Sequence, residues 1–247
     1  MVLTEQQFAE DFLEMTAGWT WEVQGFIDNQ GYVYPIDTDT KVLSTVFERL
    51  SSPVLRSIAK KYGYVVQTAN QTTYPDFTMS KFDGFNLVHR IAIDIKSTYR
   101  STSMGLTLGG YNSFLRNGTK NILHPYETYN EQWVIGFVYS QNPAFREYDL
   151  ENMPQLGEIS CPYRDIHIFI RPKHMLSGLR AGSGNTKNIG SFKVRSANDF
   201  STSVGPFARF SYAKEAHDHY WRYYESYVSL IHTETDLINH PDFAQYR

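Results

Sequence analysis

The sequence predicts a mixed α/β domain built around one central sheet, and three observations carry that prediction. A helical stripe of Val42, Leu43, Val46, Phe47 and Leu50 follows Asp39, with Lys41, Ser44, Thr45 and Glu48 on the polar side. The run Arg90-Ile91-Ala92-Ile93-Asp94-Ile95-Lys96 alternates strictly, as a strand does. Two more apolar runs, 132–139 and 167–171, have strand length. At 247 residues, 41% of them hydrophobic, the chain can bury one sizeable core with an appended subdomain.

Element by element, Thr4 and Gln7 form a capping-box start for a helix to about Met15, before Gly18. Residues 19–34 read as two short strands around the Asn29-Gln30-Gly31 turn. The helix from Asp39 is expected to be interrupted at Ser51-Ser52-Pro53 and to stop at Gly63. Strands are expected at 64–67, 76–80 and 89–96, with a turn at Asp83-Gly84. A short helix follows Gly109-Gly110 over 111–117. Residues 142–162 read as an irregular excursion, and 178–191 as a glycine- and asparagine-rich loop. An aromatic helix runs from Lys214 to about Leu230.

Composition narrows the function. No apolar run approaches the roughly 18 residues that span a bilayer, and the N-terminus lacks the pattern of a secretion signal. Cys161 is the single cysteine, so the chain has neither an internal disulfide nor a thiolate cluster, and a cytoplasmic setting is expected. The net charge of −3 does not suit a general nucleic-acid binder. Between Arg164 and Arg195, however, seven lysines and arginines stand against Asp165 alone, which fits a localised anionic partner.

The chemistry centres on Asp76, Asp94 and Lys96. In a strand, Asp94 and Lys96 share the face opposite Ile91, Ile93 and Ile95, and Asp76 lies one strand-and-turn upstream. Two adjacent carboxylates repel unless a proton or cation intervenes, and Mg²⁺ takes oxygen ligands of this kind while retaining water. A neighbouring lysine can orient a nucleophilic water and offset charge on a phosphoryl transition state. A solvated strand face would show the same residues, so the spacing alone leaves both readings open. Glu48 cannot be placed at this site from spacing. The stretch Ala181 to Ser191 lacks the glycine before lysine of a phosphate-binding loop. It suits close backbone approach and an asparagine amide on adenine, or equally a flexible surface loop. His217 and His219, two apart, do not converge on a helix and give no zinc site.

The blocks 39–48, 74–78, 91–99, 107–122, 181–191 and Tyr220-Trp221-Arg222 resemble the type II restriction endonucleases of the PD-(D/E)XK nuclease superfamily. The resemblance spans roughly residues 24–224. It implies a restriction-endonuclease-like fold, a central mixed sheet flanked by helices in a single domain, and a U-shaped homodimer on double-stranded DNA. Dimerisation is implied at about 19–36 and 142–165, catalysis at about 37–140, and DNA recognition at about 166–230. The implied reaction is Mg²⁺-dependent phosphodiester hydrolysis, with Mn²⁺ as a substitute, at a palindromic six-base site, GATATC, leaving blunt ends. Asp76 and Asp94 match metal ligands, Lys96 the catalytic lysine, and Glu48 an acidic residue at or near the metal.

Gly182, Gly184, Asn185 and Thr186 match the major-groove recognition loop, in which Ser183 and Lys187 also stand. Thr98, Ser113, Lys120 and Asn188 match positions near the DNA backbone or the scissile region, and Thr40, Lys41, Gln71 and Thr72 are further candidates for DNA contact. The resemblance further implies a bacterial cytoplasmic enzyme with a cognate DNA methyltransferase acting separately. Lys187 stands where the pattern has threonine, Gln71-Thr72-Thr73 where it has glutamine-asparagine-histidine, and Gln141 where it has arginine. A structure-specific repair nuclease and a non-cleaving DNA-binding module are the competing classes.

Overall fold

In the computed structural model, residues 2–70, 72–146, 148, 155–182 and 187–247 are described. The Thr4 capping box starts α1 (Glu5–Met15), as its sequence signature requires. Strands β1 (Gly25–Ile27) and β2 (Val33–Pro35) form a separate two-stranded hairpin. Asp39 caps α2 (Thr40–Tyr62) by accepting from the Lys41 and Val42 amides, and Gly63 ends it with φ 72°. That left-handed conformation suits a glycine, which has no Cβ to clash.

The expected break at Pro53 does not occur; α2 runs through it. Proline removes one amide donor, but Leu43, Val46, Phe47, Val54, Leu55 and Ile58 on one continuous face are all buried. Their packing outweighs the local cost of the ring.

The main sheet follows, from β3 (Val65–Thr68), β4 (Phe77–Asp83) and β5 (Asn86–Tyr99) to β7 (Glu131–Gln141) and β8 (Tyr163–Pro172), in the spatial order 3-4-5-7-8. Only β5 and β7 pair in parallel, so the sheet is mixed, as predicted. Between them, β6 (Thr107–Gly110) leads into a five-residue π-helical turn, Tyr111–Leu115, where a short helix was expected. After β8 come α3 (Lys173–Leu176), β9 (Ser177–Ala181) and β10 (Asn188–Ser191).

The stretch expected to be wholly loop therefore carries strands at both ends. Together with β6 they make a second, antiparallel sheet in the order 6-10-9. Gly190 permits this, because a Cβ there would collide with the Arg180 carbonyl. The chain closes through α4 (Asp199–Thr202), α5 (Ala213–Arg222), α6 (Tyr224–Tyr227) and α7 (Glu234–Asn239).

Alternation along β5 and β7 divides the core. Ile91, Ile93, Ile95, Trp133, Ile135 and Phe137 face the cluster with α1 and α2. Ala92, Val134 and Val138 face the opposite cluster, which holds the aromatic residues of α5 and α6. Asp94 and Lys96 lie on that second side of β5, as strand geometry demands. No helix of the described residues is long and apolar enough to cross a membrane. Phe47, fully buried, stacks on Phe137 with centroids 4.5 Å apart and planes at 6°. Phe47→Ala is expected to lower unfolding free energy by about 3–5 kcal/mol in urea denaturation.

Candidate active site

Register brings the acidic residues together. Phe77 pairs with Ile93 in the β4–β5 ladder, so one step back sets Asp76 across from Asp94. Pro75 contributes no amide to the ladder. The Asp76 carboxylate instead accepts the Ile95 amide through Oδ2 at 2.7 Å, which fixes its direction. Asp94 is 3% exposed. Lys96 Nζ lies 2.8 Å from Asp94 Oδ2 and 3.9 Å from Asp76 Oδ2. The shorter distance is a close ion pair between the Lys96 ammonium and the buried Asp94 carboxylate.

The electrostatics follow from crowding. Burial pushes the Asp76 carboxyl up, Lys96 opposes this and Asp94 reinforces it, leaving the pKa at about 7. Burial also acts to raise Asp94, but Lys96 and then Lys173 outweigh it, and Asp94 lies below its ordinary value. Burial disfavours the Lys96 ammonium, yet Asp94 and Asp76 more than compensate and its pKa is raised. Lys96 is therefore a cation at neutral pH, suited to holding charge and unsuited to accepting a proton.

Two hollows that share Asp76 and Lys96 in their walls flank the trio. A groove of about 650 Å³ is lined by Thr40, Lys41, Glu48, Asp76 and Lys96, joining α2 to the sheet. A smaller one of about 260 Å³ joins Asp76, Asp94 and Lys96 to Thr72, Ser113 and Asn188. Helix α2 thus carries Glu48 to the groove, near enough for its charge to favour the Lys96 ammonium. Among the described residues, however, no three His, Cys, Asp or Glu side chains gather as a metal-ligand set. The Glu48 carboxylate lines the groove wall together with Asp76 and Lys96.

Thr98 is half-buried on β5, two residues beyond Lys96, and lines neither hollow. Lys120 is exposed in a turn, its amide donating to Asn117 O at 2.7 Å, and is likewise outside both. Gly182 donates to Asn188 O at 2.9 Å, at the root of the β9–β10 hairpin, and the exposed Lys187 accepts the Tyr111 amide through its carbonyl. Gln71, Ser183, Gly184, Asn185 and Thr186 lie outside the described residues.

The basic segment is mostly at the surface: Arg164, Arg180, Lys187, Lys193 and Arg195 are exposed, Arg171 is half-buried, and Lys173 alone of the seven is buried. Arg164 pairs with Asp165 at 3.5 Å, Arg171 donates to the Ser201 carbonyl, and Arg180 donates to Val228 O at 2.9 Å. Lys173 is 2% exposed. Sequence reasoning passed over Lys173 because a lysine is ordinarily a surface residue.

A mixed sheet that presents two carboxylates and a lysine beside an open groove defines an endonuclease of the restriction type. The chain belongs to the restriction endonuclease EcoRV family, whose model matches residues 17–247. It is 43% identical over 233 residues to the Type II restriction enzyme EcoRV of Escherichia coli, covering 92% of this chain and 90% of the relative. The protein is accordingly a type II site-specific deoxyribonuclease.

In the metal-free protein, Asp76 is expected to titrate near pH 7 by carboxyl-carbon NMR. Because its folded pKa exceeds the ordinary 3.8, the folded state binds more protons than the unfolded between those values. This group alone makes stability fall as pH rises through that window. Lys96→Met should move the Asp76 midpoint higher still; a midpoint near 4 in both proteins would contradict the assignment.

Proposed function

We propose that the protein is a homodimer that cleaves double-stranded DNA at GATATC, leaving blunt ends, by Mg²⁺-dependent hydrolysis at the Asp76–Asp94–Lys96 pocket. The observation that carries this reading is the convergence of the Asp76 and Asp94 carboxylates on one lysine, with Lys96 Nζ 3.9 and 2.8 Å from them, at the wall of the smaller hollow. Paired carboxylate oxygens with room for a hard cation fit Mg²⁺, with Mn²⁺ as a substitute, and fit no soft metal. When bound, the cation supplies Lewis-acid polarisation of the scissile phosphate.

The chain's own residues do the rest. Asp76 and Asp94 hold the charge that retains the cation, and the Ile95 amide keeps Asp76 aimed at it. The Lys96 ammonium orients the attacking water and offsets the charge that builds on the phosphate as the new P–O bond forms. Water attacks in line, the bond to the 3′-oxygen breaks, and that oxygen takes up a proton as the 3′-hydroxyl. The phosphate stays on the 5′ end. Thr40, Lys41 and Glu48 line the groove along which the duplex would lie, and Thr72, Ser113 and Asn188 lie nearer the pocket. Thr98 and Lys120 would meet the backbone beyond it.

Specificity is assigned to residues 182–188, with Gln71 and Thr72 opposite, and to opening the central TA step, the pyrimidine–purine kind that bends most readily. The β1–β2 hairpin supports self-association: Phe26, Ile27, Tyr32 and Tyr34 are exposed. Phe26 also lines an apolar hollow of about 380 Å³ with Val42, Val46 and Leu50. Apolar surface of this kind ordinarily meets a partner. A separate methyltransferase would protect the host's own copies of the site, and a bacterial cytoplasm is the setting that fits.

Digestion of a plasmid of known sequence, followed by end mapping, is expected to give blunt cuts within GATATC that require Mg²⁺. Cuts elsewhere would sink the site assignment, and preference for branched or mismatched substrates would favour a repair nuclease. Asp94→Ala is expected to abolish cutting while retaining duplex binding in a gel-shift assay. Sedimentation of the DNA-free protein should give a dimer.

A further inference from the structure

Lys173 is the least ordinary residue near the pocket. It begins α3 directly after β8 and is 2% exposed, yet it forms no ion pair with a carboxylate among the described residues. Its Nζ lies 4.1 Å from the centroid of the Tyr74 ring and 4.8 Å from that of Phe114. Those two rings stack on each other at 4.2 Å. Gln132 Oε1 accepts from the ammonium at 3.5 Å and from the Tyr74 hydroxyl at 3.1 Å.

Tyr74 immediately precedes Pro75 and Asp76, so the lysine braces the turn that delivers the first carboxylate. Filling this slot does not require a charge. Methionine would occupy a similar volume against two rings without the cost of desolvating an ammonium. The charge therefore calls for its own explanation, and the surrounding groups supply one. Burial pulls Lys173 down to about 8, and the largest opposing influence is Asp94, with Asp218 and Asp76 adding to it. In return Lys173 follows Lys96 among the charges that keep Asp94 ionised. It stays a cation at neutral pH.

We propose that Lys173 is an electrostatic positioning residue of the cleavage reaction, a second cation behind Asp76 and Asp94 that balances their two charges together with Lys96 and so tempers their hold on a divalent cation. The proposal rests on the reading of Asp76 and Asp94 as the cation's ligands. It has a signed consequence. Removing the Lys173 charge leaves a surplus negative charge at the pocket, and a divalent cation binds more tightly. A lysine that only packs has the opposite signature, since its loss loosens the pocket and weakens binding.

The test is titration of Mn²⁺ alone into the full-length, DNA-free protein at fixed pH, with free Mn²⁺ read by electron paramagnetic resonance. Lys173→Met is expected to tighten Mn²⁺ binding by about threefold to tenfold, while slowing single-turnover cleavage. Lys173→Arg, which keeps the charge, is expected to stay near wild type in Mn²⁺ affinity. Thermal melting establishes that each variant is folded, with Lys173→Gln as the second uncharged replacement. Equal Mn²⁺ binding by wild type and Asp94→Ala would overturn the ligand reading itself. Lost binding in Asp94→Ala, with unchanged or weaker binding in both uncharged Lys173 variants, would overturn only the role of Lys173. Failure of both uncharged variants to fold while Lys173→Arg folds would also overturn it, because the charge would then serve the fold.

Discussion

The hydrogen bond from the Ile95 amide to the Asp76 carboxylate is the constraint on which the site depends. A proline stands before Asp76, so the β4–β5 ladder ends there and the Asp76 carboxylate takes over an amide that strand pairing has left available. One contact therefore ends the pairing, satisfies a backbone donor and aims a carboxylate at Asp94. The remaining geometry follows from alternation. Ile93 and Ile95 are drawn into the core on one side, and Asp94 and Lys96 must emerge on the other. The hydrophobic effect on one face of β5 orients the chemistry on its opposite face.

That origin explains what could be read in the sequence. The two faces of β5 were legible because strand alternation is a local property, and α1 was legible because its capping box is written in adjacent residues. The pairing of β4 with β5 was suggested by separation and turn chemistry, but the contact of Asp76 with Ile95 was not, since it depends on register. Pro53 misled because a local rule was weighed without the buried face of α2, which continues on both sides of it. The strands at the two ends of the glycine-rich stretch were hidden because β6, which pairs with β10 and completes their sheet, lies far away in sequence and has no apolar pattern of its own. Glu48 reached the groove through helix packing, and the resemblance supplied a role that spacing could not.

Charge was the least legible property. Counting lysines and arginines between residues 164 and 195 gives sign without direction: most of these side chains are exposed, but Arg171 reaches the Ser201 carbonyl and Lys173 turns inward onto aromatic rings. An inward cation shapes the field at a nearby carboxylate more strongly than an exposed one, because less water screens it. Lys173 thus acts on the acid pair itself, while the exposed members of the segment are available to a polyanion.

The sheet divides the interior into two separate stores of packing, and each end of the chain closes a different one. Leu3, Phe8 and Phe12 fill the side with α2, while Ile231, Leu237 and Phe243 fill the side with α5. Neither terminal segment lines the groove or the smaller hollow. The ends work as interchangeable lids: substitution there is answerable to volume and apolarity, and leaves the cutting strand untouched. Sequence can drift at the N-terminal lid while the interior strands are held by chemistry, in keeping with a family match that begins at residue 17 and runs on to residue 247.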